Sequence, residues 1–300
     1  MTDHPDRHGT RPSFADLPSH RLFAEPIPDI LYHYTSLEGA FGILTSGQIW
    51  LTKIQHMNDA AELRYAVELF RRRAESYPGD TRDGMRELLM EATERLGTYL
   101  NVNICLASFC IDGDLLSQWR AYATTANGVA LGFSRDFLAY LATRQEFQIW
   151  KCLYSPEQHE RIIDELIDLL LRLHGEPQWS RQPPYGNGEL WRSFTTVFLQ
   201  VAPVLKHPSF HEEREWRLIS APVPMRHPDY GVALAGSRLR PTFRVPFPRD
   251  EDGHCRVLVE ANIGPSADSA LMLDSLATLS ATQGHRDLKL AVSRIPYRAI

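Results

Sequence analysis

The stretch His211–Ile219, with the sequence HEEREWRLI, runs from charged residues into an apolar segment, and Pro222 and Pro224 follow it. Apolar residues closed by breakers predict a short strand. Other strand-like segments are spread from about residue 30 to residue 292, with helical segments between them. This distribution favours one α+β domain over two domains.

Side chains alternate between the two faces of a strand, which gives this stretch a polar face and an apolar face. Glu213, Glu215 and Arg217 are expected on the polar face. Trp216 and Leu218 are expected in the core. Two carboxylates held this close repel each other, and such pairs are common at catalytic sites. The alternative is a solvated strand edge with ordinary ion pairs.

The composition is that of a globular protein with a sizeable core. The chain has 300 residues, of which 43% are hydrophobic and 10% aromatic. Its formal net charge of -5 argues against a protein that coats bulk nucleic acid, and leaves a local basic patch open.

Four cysteines without CxxC spacing indicate reduced thiols in a cytoplasm. The first residues lack an apolar core, and no apolar run approaches the ~18 residues of a membrane span. We therefore expect a cytoplasmic protein that is not inserted in a membrane.

The domain boundaries follow from the polar segments. Residues 1–24 are rich in His, Arg, Asp and Pro without periodicity, which predicts a disordered tail. Residues 25–300 are expected to form the single domain. Within it, residues 175–188 contain prolines and glycines with little apolar content, which predicts a flexible loop.

The first ordered segment places a histidine next to a helix start. Residues 30–35 alternate as a strand does, with His33 in the sequence YHYT. Ser36 is a good N-cap for a helix from Leu37 to Thr45, and Gly47 ends that helix. A helix N-terminus favours anionic ligands such as phosphates, so His33 is a candidate for contact with such a ligand. A core histidine held by hydrogen bonds is an equally good interpretation.

The middle of the chain contributes a serine. Val102–Phe109 predicts a strand covered on both faces, and Ser108 lies near its end. A helix from about Leu115 follows and contains Tyr122. The chain has no GxxxxGK[ST] loop, no GxGxxG, no GxSxG and no HExxH, so kinase, simple dehydrogenase, serine esterase and zinc-helix interpretations lose their main support.

The order of these residues resembles the ADP-ribosyltransferase superfamily. There, a His or Arg on the first strand contacts the ribose of NAD, a middle strand contributes a Ser or Tyr, and a late strand brings the catalytic Glu, often in an ExE pair. His33, Ser108 and Glu213-Arg214-Glu215 match this order. The resemblance implies a single α+β domain with a split mixed β-sheet core and surrounding helices, with NAD as substrate and no metal.

A second resemblance, to the bacterial domain-of-unknown-function 2971 family, extends over nearly the whole chain. Its name implies no activity, and its motifs look like those of a divergent transferase of the kind just described. The matching segments are Leu31–Ser36, Ile49–Thr52, Asn58-Asp59 with Glu62, Ser108-Phe109, Trp119 with Tyr122, Glu213–Arg217, Ile263–Pro265 and Ile295–Arg298.

The reaction implied by the first resemblance requires a negative charge close to the sugar. Breaking the bond from nicotinamide to ribose builds positive charge on the sugar, which a carboxylate stabilises. Glu215 is expected to do this, and Glu213 to orient or deprotonate the incoming nucleophile. The other expected contacts to NAD are His33 and Thr35 at the adenosine ribose, Tyr34 or Tyr122 stacked on a ring, Ser108 from the middle strand, and Arg217 at the pyrophosphate.

The expected function is therefore transfer of ADP-ribose from NAD, as in a toxin or a phage-defence effector. The acceptor is open between protein, nucleic acid and small molecule, and plain hydrolysis of NAD is also open. Two alternatives remain at this point. One is a non-catalytic module that binds a nucleotide or a protein in the same cleft, and the other is a metal-dependent nuclease or hydrolase that uses the acidic pair.

Overall fold

The structure is a computed structural model that describes residues 12–57, 61–77, 84–98, 102–122, 128–144, 146–175, 188–235, 238–266 and 268–296. Its named helices are α1 (Leu37–Ser46), α2 (Ala61–Glu75), α3 (Met85–Thr98), α4 (Leu116–Tyr122), α5 (Arg135–Thr143), α6 (Pro156–Gly175), α7 (Gly188–Val201) and α8 (Ser269–Thr282). Its strands are β1 (Ile30–Ser36), β2 (Gln48–Lys53), β3 (Cys105–Cys110), β4 (Gly128–Ser134), β5 (Phe147–Lys151), β6 (Glu215–Ser220), β7 (Tyr230–Ala235), β8 (Arg238–Pro246), β9 (Leu258–Ile263) and β10 (Lys289–Val292).

The described chain groups into two compact units. The helical unit comprises residues up to 25, 61–101 and 153–208, and contains α2, α3, α6 and α7. The sheet unit comprises residues 26–60, 102–152 and 209–300, and contains all the named strands with α1, α4, α5 and α8. The predicted α+β class, with an open mixed sheet and helices, is confirmed. The single-domain boundary stays a prediction.

The sheet branches at β3. The main path runs β10-β9-β4-β1-β3-β2-β8-β7, and β6 pairs with both β3 and β5. One edge of β3 pairs with β6 from Leu106 to Cys110. The other edge is shared, because β2 pairs with its start at Cys105 and Leu106 and β1 pairs with its end at Cys110. Only β9 and β10 are parallel neighbours among the described strands.

The two faces of this sheet differ in character. The core face carries Leu31, Phe109, Trp216 and Leu218, which are buried in the large apolar cluster. Trp216 and Leu218 therefore lie where the sequence pattern predicts them. The second face carries Tyr32, Tyr34, Ser108, Cys110, Glu215 and Arg217, which follow from the strand alternation and from the cross-strand pairs.

Local sequence signals explain the start and the end of α1. The Ser36 hydroxyl accepts a hydrogen bond from the backbone N–H of Gly39, as an N-cap does. Gly47 ends the helix in the left-handed region with φ of 61°. The predicted helix is confirmed to within one residue.

The N-terminal segment differs from the disordered tail that its composition predicts. Residues 14–16 and 18–23 form two 3-10 helices, and Ser13 and Asp16 form a reciprocal capping box at the first one. Phe14, Leu17 and Phe23 are buried, which composition alone does not reveal. Residues 1–11 and most of the predicted loop 175–188 lie outside the described residues.

Candidate functional site

Three polar segments far apart in the sequence lie on three adjacent strands of the sheet unit. His33 is on β1, Ser108 on β3 and Glu215 at the start of β6, and β3 pairs with both of the other strands. The candidate site is built at this junction, where β1 and β2 diverge along one edge of β3.

Glu215 and Arg217 form a buried ion pair on the second face. Nε of Arg217 donates to Oε1 of Glu215 at 2.8 Å, and Nη2 donates to Oε2 at 2.9 Å. Only 3% of the Glu215 side chain and 1% of the Arg217 side chain are exposed. The Cys152 thiol lies 3.7 Å from Oε2. The alternative of a solvated strand edge is wrong, because β6 lies between β3 and β5.

Glu213 does not share a strand with Glu215. It ends the 3-10 helix Pro208–Glu213 and is partly exposed. Arg214, the residue between the two glutamates, has φ of 41°, in the left-handed region that few non-glycine residues adopt. This reversal breaks the expected alternation, so the prediction that Glu213 and Glu215 alternate along one strand is wrong. Arg214 instead lies 3.8 Å from a carboxylate oxygen of Asp112.

His33 lies on the core face, opposite to Glu215. Its ring packs near Phe109 and Phe133, with centroid distances of 5.8 and 6.5 Å. Its Nδ1 donates to the carbonyl oxygen of Ser108 at 2.9 Å, at the position where β1 and β2 diverge. Burial lowers the pKa of this imidazole, so the neutral ring is favoured. His33 thus joins β1 to β3, and the imidazole and the Glu215 carboxylate do not line one cleft.

Ser108 lies beside the buried ion pair. It is the cross-strand partner of Arg217, so the two side chains share the second face. Unlike its neighbours Ala107 and Phe109, Ser108 is partly exposed. The structure therefore brings Ser108, Glu215 and Arg217 together.

Tyr34 is on the second face, but its ring and its hydroxyl are already engaged. The hydroxyl donates to the carbonyl of Asp112 at 2.9 Å and accepts from the backbone N–H of Leu115 at 2.8 Å. The ring packs edge-on against Trp119 at 4.7 Å. Burial raises the pKa of Tyr34. Tyr34 therefore holds the turn between β3 and α4.

Of the two remaining predicted contacts to NAD, the structure describes the side chain of Thr35 but not that of Tyr122. Thr35 shares its face of β1 with His33, and its hydroxyl lies so close to α1 that a Cβ at Gly39 would overlap with it. Tyr122 is the last residue of α4, and its side chain lies outside the described part of the structure. Asn58 and Asp59 of the second resemblance also lie outside it.

The sequence interpretation did not predict the polar network beside Tyr34. Asp114 accepts hydrogen bonds from Nε1 of Trp119 at 2.7 Å and from the backbone N–H of Arg294 at 2.9 Å. Asn262 donates to the carbonyl of Gly113 at 3.2 Å. A Cβ at Gly113 would lie 2.5 Å from Asn262, which explains why glycine stands between two aspartates. The signal in the sequence is this Asp-Gly-Asp turn, which fastens the C-terminal segment to the sheet.

The described residues also contain an open cavity of about 550 Å³ between the start of α8 and the end of β10. Pro265, Ser269, Val292 and Ser293 contribute to its wall, and none of the predicted site residues does. Within the described ranges, no group of three or more His, Cys, Asp or Glu side chains is arranged to hold a metal ion. In the same ranges, no helix combines the length and the apolar composition that a membrane crossing needs.

Comparison with known proteins gives one match. No curated protein and no solved structure matches the sequence significantly. The model of the family described as "Protein of unknown function (DUF2971)" matches residues 118–218, about a third of the chain, and supports the second resemblance over α4 to β6.

Proposed function

We propose that the protein is an ADP-ribosyltransferase-like enzyme that uses NAD as its substrate, with Glu215 as the catalytic carboxylate. The observation that supports this proposal is that Ser108 lies next to the Glu215–Arg217 pair at the branch of the sheet. The order of the three strand segments, from His33 through Ser108 to Glu215, is the order that the first resemblance requires.

The roles of the residues follow from charge and geometry. Loss of nicotinamide builds positive charge on the ribose, and the Glu215 carboxylate stabilises it. Arg217 fixes the plane of that carboxylate by two hydrogen bonds, which is a positioning role rather than a pyrophosphate contact. Ser108 supplies a hydroxyl on the same face. His33 positions β3 through its carbonyl.

The enclosure of the carboxylate sets a condition on this proposal. With 3% of the Glu215 side chain exposed, a bound ribose reaches the carboxylate only after a path beside β6 opens. The enzyme acts in the cytoplasm under this proposal, as a toxin or a phage-defence effector.

A second candidate is a non-catalytic module that binds a nucleotide or a protein. It is favoured by the same ion pair, because a carboxylate whose two oxygens both accept hydrogen bonds from one guanidinium is well placed to hold β6 in shape. In this case Glu215 stabilises the fold, and Ser108 is the residue that contacts a ligand.

The test is release of nicotinamide from NAD by the purified protein, with binding of NAD measured by calorimetry. Under the first proposal, Glu215→Gln lowers turnover by about 10²–10³-fold, as loss of one preorganised electrostatic group does elsewhere. Ser108→Ala, at a partly exposed site, lowers turnover without a change in thermal stability. Glu146→Gln, an exposed glutamate of the same unit, is the matched control and keeps full turnover.

Two results would reject the enzyme. Saturable binding of NAD without release of nicotinamide, unchanged by Glu215→Gln, supports the second candidate. If the protein neither binds NAD nor releases nicotinamide from it, NAD is not the ligand in either candidate function. Thermal unfolding of each variant identifies any loss of turnover that comes from unfolding, because Glu215 lies in a buried pair.

A further inference from the structure

Two neighbouring strands of the sheet unit, β2 and β8, carry positive charge, and neither they nor the adjoining β7 contains a carboxylate. β2, β7 and β8 contain Lys53, Arg238, Arg240 and Arg244, and no Asp or Glu. The chain as a whole has a net charge of -5. The positive charge is therefore concentrated locally, as in proteins whose surface meets an anionic partner.

The arginines of β8 share the second face of the sheet with an exposed tryptophan. Trp50 of β2 is the cross-strand partner of Arg244, and Arg240 is paired with Ala233 of β7. Arg238, Arg240 and Arg244 alternate along β8, so all three project from the same face as Trp50. Trp50 is 40% exposed although β2 lies between β3 and β8.

A glycine on β7 leaves room for the side chain of Arg244. A Cβ at Gly231 would sit 3.2 Å from Nη2 of Arg244, so this guanidinium extends from β8 towards Gly231 of the neighbouring strand. Ala233 and Thr242 are 9% and 3% exposed. In the described part of the chain, no carboxylate lies within ion-pair distance of Arg240 or Arg244.

Protection of a sheet edge does not explain this arrangement. Natural proteins place charged residues on the edge strand itself to prevent pairing with another chain. Here the edge strand is β7, with the uncharged sequence YGVALA, and the arginines lie on β8, one strand further in. An exposed indole in the middle of an interior strand also needs a different explanation.

We propose that this surface, the Trp50–Arg244 platform formed by Trp50, Arg238, Arg240 and Arg244, binds single-stranded nucleic acid. Guanidinium groups pair with phosphates, and an exposed aromatic ring stacks on an unpaired base, which is how sequence-tolerant single-strand binders work. A base inside a duplex is already stacked and does not offer its face to Trp50. The occupant is therefore an extended strand with free bases.

The platform lies on the same face of the sheet as Ser108. Thr52 of β2 pairs with Leu106 of β3, and Leu106 is two residues from Ser108, so both belong to the second face. The inference goes beyond the proposed function, because NAD turnover does not require it. Where the proposed function holds, single-stranded nucleic acid becomes the class of acceptor.

The test is fluorescence anisotropy with labelled oligo(dT) and oligo(U) of about twelve nucleotides, a length in the range of known single-strand sites. Wild-type protein is expected to bind both, with affinity that falls as salt rises. Trp50→Ala weakens binding by about tenfold, whereas Trp50→Phe, which keeps a stacking ring, stays within about threefold of wild type. Arg240→Glu with Arg244→Glu weakens binding at least about tenfold and lowers the salt slope by about 1.4, the value for two lost phosphate contacts.

Arg161→Glu with Arg172→Glu on α6, at two exposed arginines of the helical unit, makes the same change of charge as the double variant of the platform and is expected to leave binding within about twofold. The inference is overturned if wild-type protein does not bind either oligonucleotide, or if Trp50→Ala binds as tightly as wild type. Equal affinity for polyglutamate, which has charge but no bases, also overturns it. Because no NAD is present, a protein without NAD turnover can still pass this test, and the two proposals fail separately.

Discussion

The Glu215–Arg217 ion pair is nearly fully buried, so the loss of one partner is expected to destabilise the protein more than the loss of both. Taking charges out of water is unfavourable, so removal of one partner leaves the other buried without its main compensation. We predict that Arg217→Met lowers the free energy of unfolding by about 3–5 kcal/mol, measured by urea denaturation. The double variant Glu215→Leu with Arg217→Met is expected to recover much of the loss.

The control is an ion pair at the surface. Arg192 and Glu189 lie 3.2 Å apart with 65% and 38% of their side chains exposed. Arg192→Met is expected to change the free energy of unfolding by less than about 1 kcal/mol, because water and salt screen an exposed pair. A similar small loss for Arg217→Met would show that the buried pair within β6 does not stabilise the fold.

Histidines that are partly or fully buried give stability a pH dependence of known sign. Burial lowers the pKa of His33, His159 and His285 below the ordinary value of 6.5. The unfolded chain therefore binds more protons than the folded chain as the pH falls below about 6.5, and stability decreases with falling pH in that window. Carboxyl groups with lowered pKa, such as those of Glu38 and Asp250, change the stability only at pH values near or below their ordinary pKa values of 4.5 and 3.8.

We predict that the free energy of unfolding is lower at pH 5.5 than at pH 7.5 by about 1 kcal/mol or more. His33→Gln keeps an N–H donor for the Ser108 carbonyl but does not titrate, so the difference between the two pH values becomes smaller. Urea unfolding of both proteins at both pH values measures this. An equal or higher stability at pH 5.5 would contradict the assignment of neutral buried rings.

At the scale of elements, the glycine at the C-cap of α1 and a glycine inside that helix differ in backbone conformation, and a Cβ at the C-cap position would also lie 3.2 Å from Nη2 of Arg249. Gly47 has φ of 61° at the C-cap, whereas Gly42 lies inside the helix with open space where a Cβ would be. Gly47→Ala is expected to destabilise the protein by about 1 kcal/mol, because an L side chain is strained in the left-handed region. Gly42→Ala is the matched control and is expected to stabilise it by up to about 1 kcal/mol. Thermal unfolding that ranks the two variants in the opposite order would refute this explanation of the helix end.

The elements that sequence predicts well are those whose ends carry local chemistry. Ser36 and Gly47 set the limits of α1. The break at Arg214 was not visible, because a positive φ at an arginine follows from tertiary contacts rather than from the pattern. Strand alternation placed Glu215 and Arg217 together correctly, but it could not show that His33 packs against Phe109 on the other face.

At the scale of the whole molecule, the sheet is assembled from segments that are far apart in the sequence. β4 pairs with β1 and β9, and β6 pairs with β3. The α+β class could be predicted because strands and helices alternate along the chain. The branch at β3 could not be predicted, because strand pairing over such distances leaves no local pattern.

The family model matches residues 118–218. This segment contains β4, β5 and most of β6, but it lacks most of the strands with which they pair. Of the pairings between described strands, only that of β5 with β6 would remain in a fragment of these residues, together with the isolated bridge between Leu153 and Leu205, since β1, β3 and β9 lie outside it. A two-stranded sheet is marginally stable in water, and the buried Glu215–Arg217 pair would lose the cover of β3. We predict that the fragment shows no cooperative thermal transition, whereas the full chain does. A dispersed amide spectrum with cooperative melting of the fragment would mean that this third of the chain folds alone, and that the contacts to β1 and β3 do not define the site.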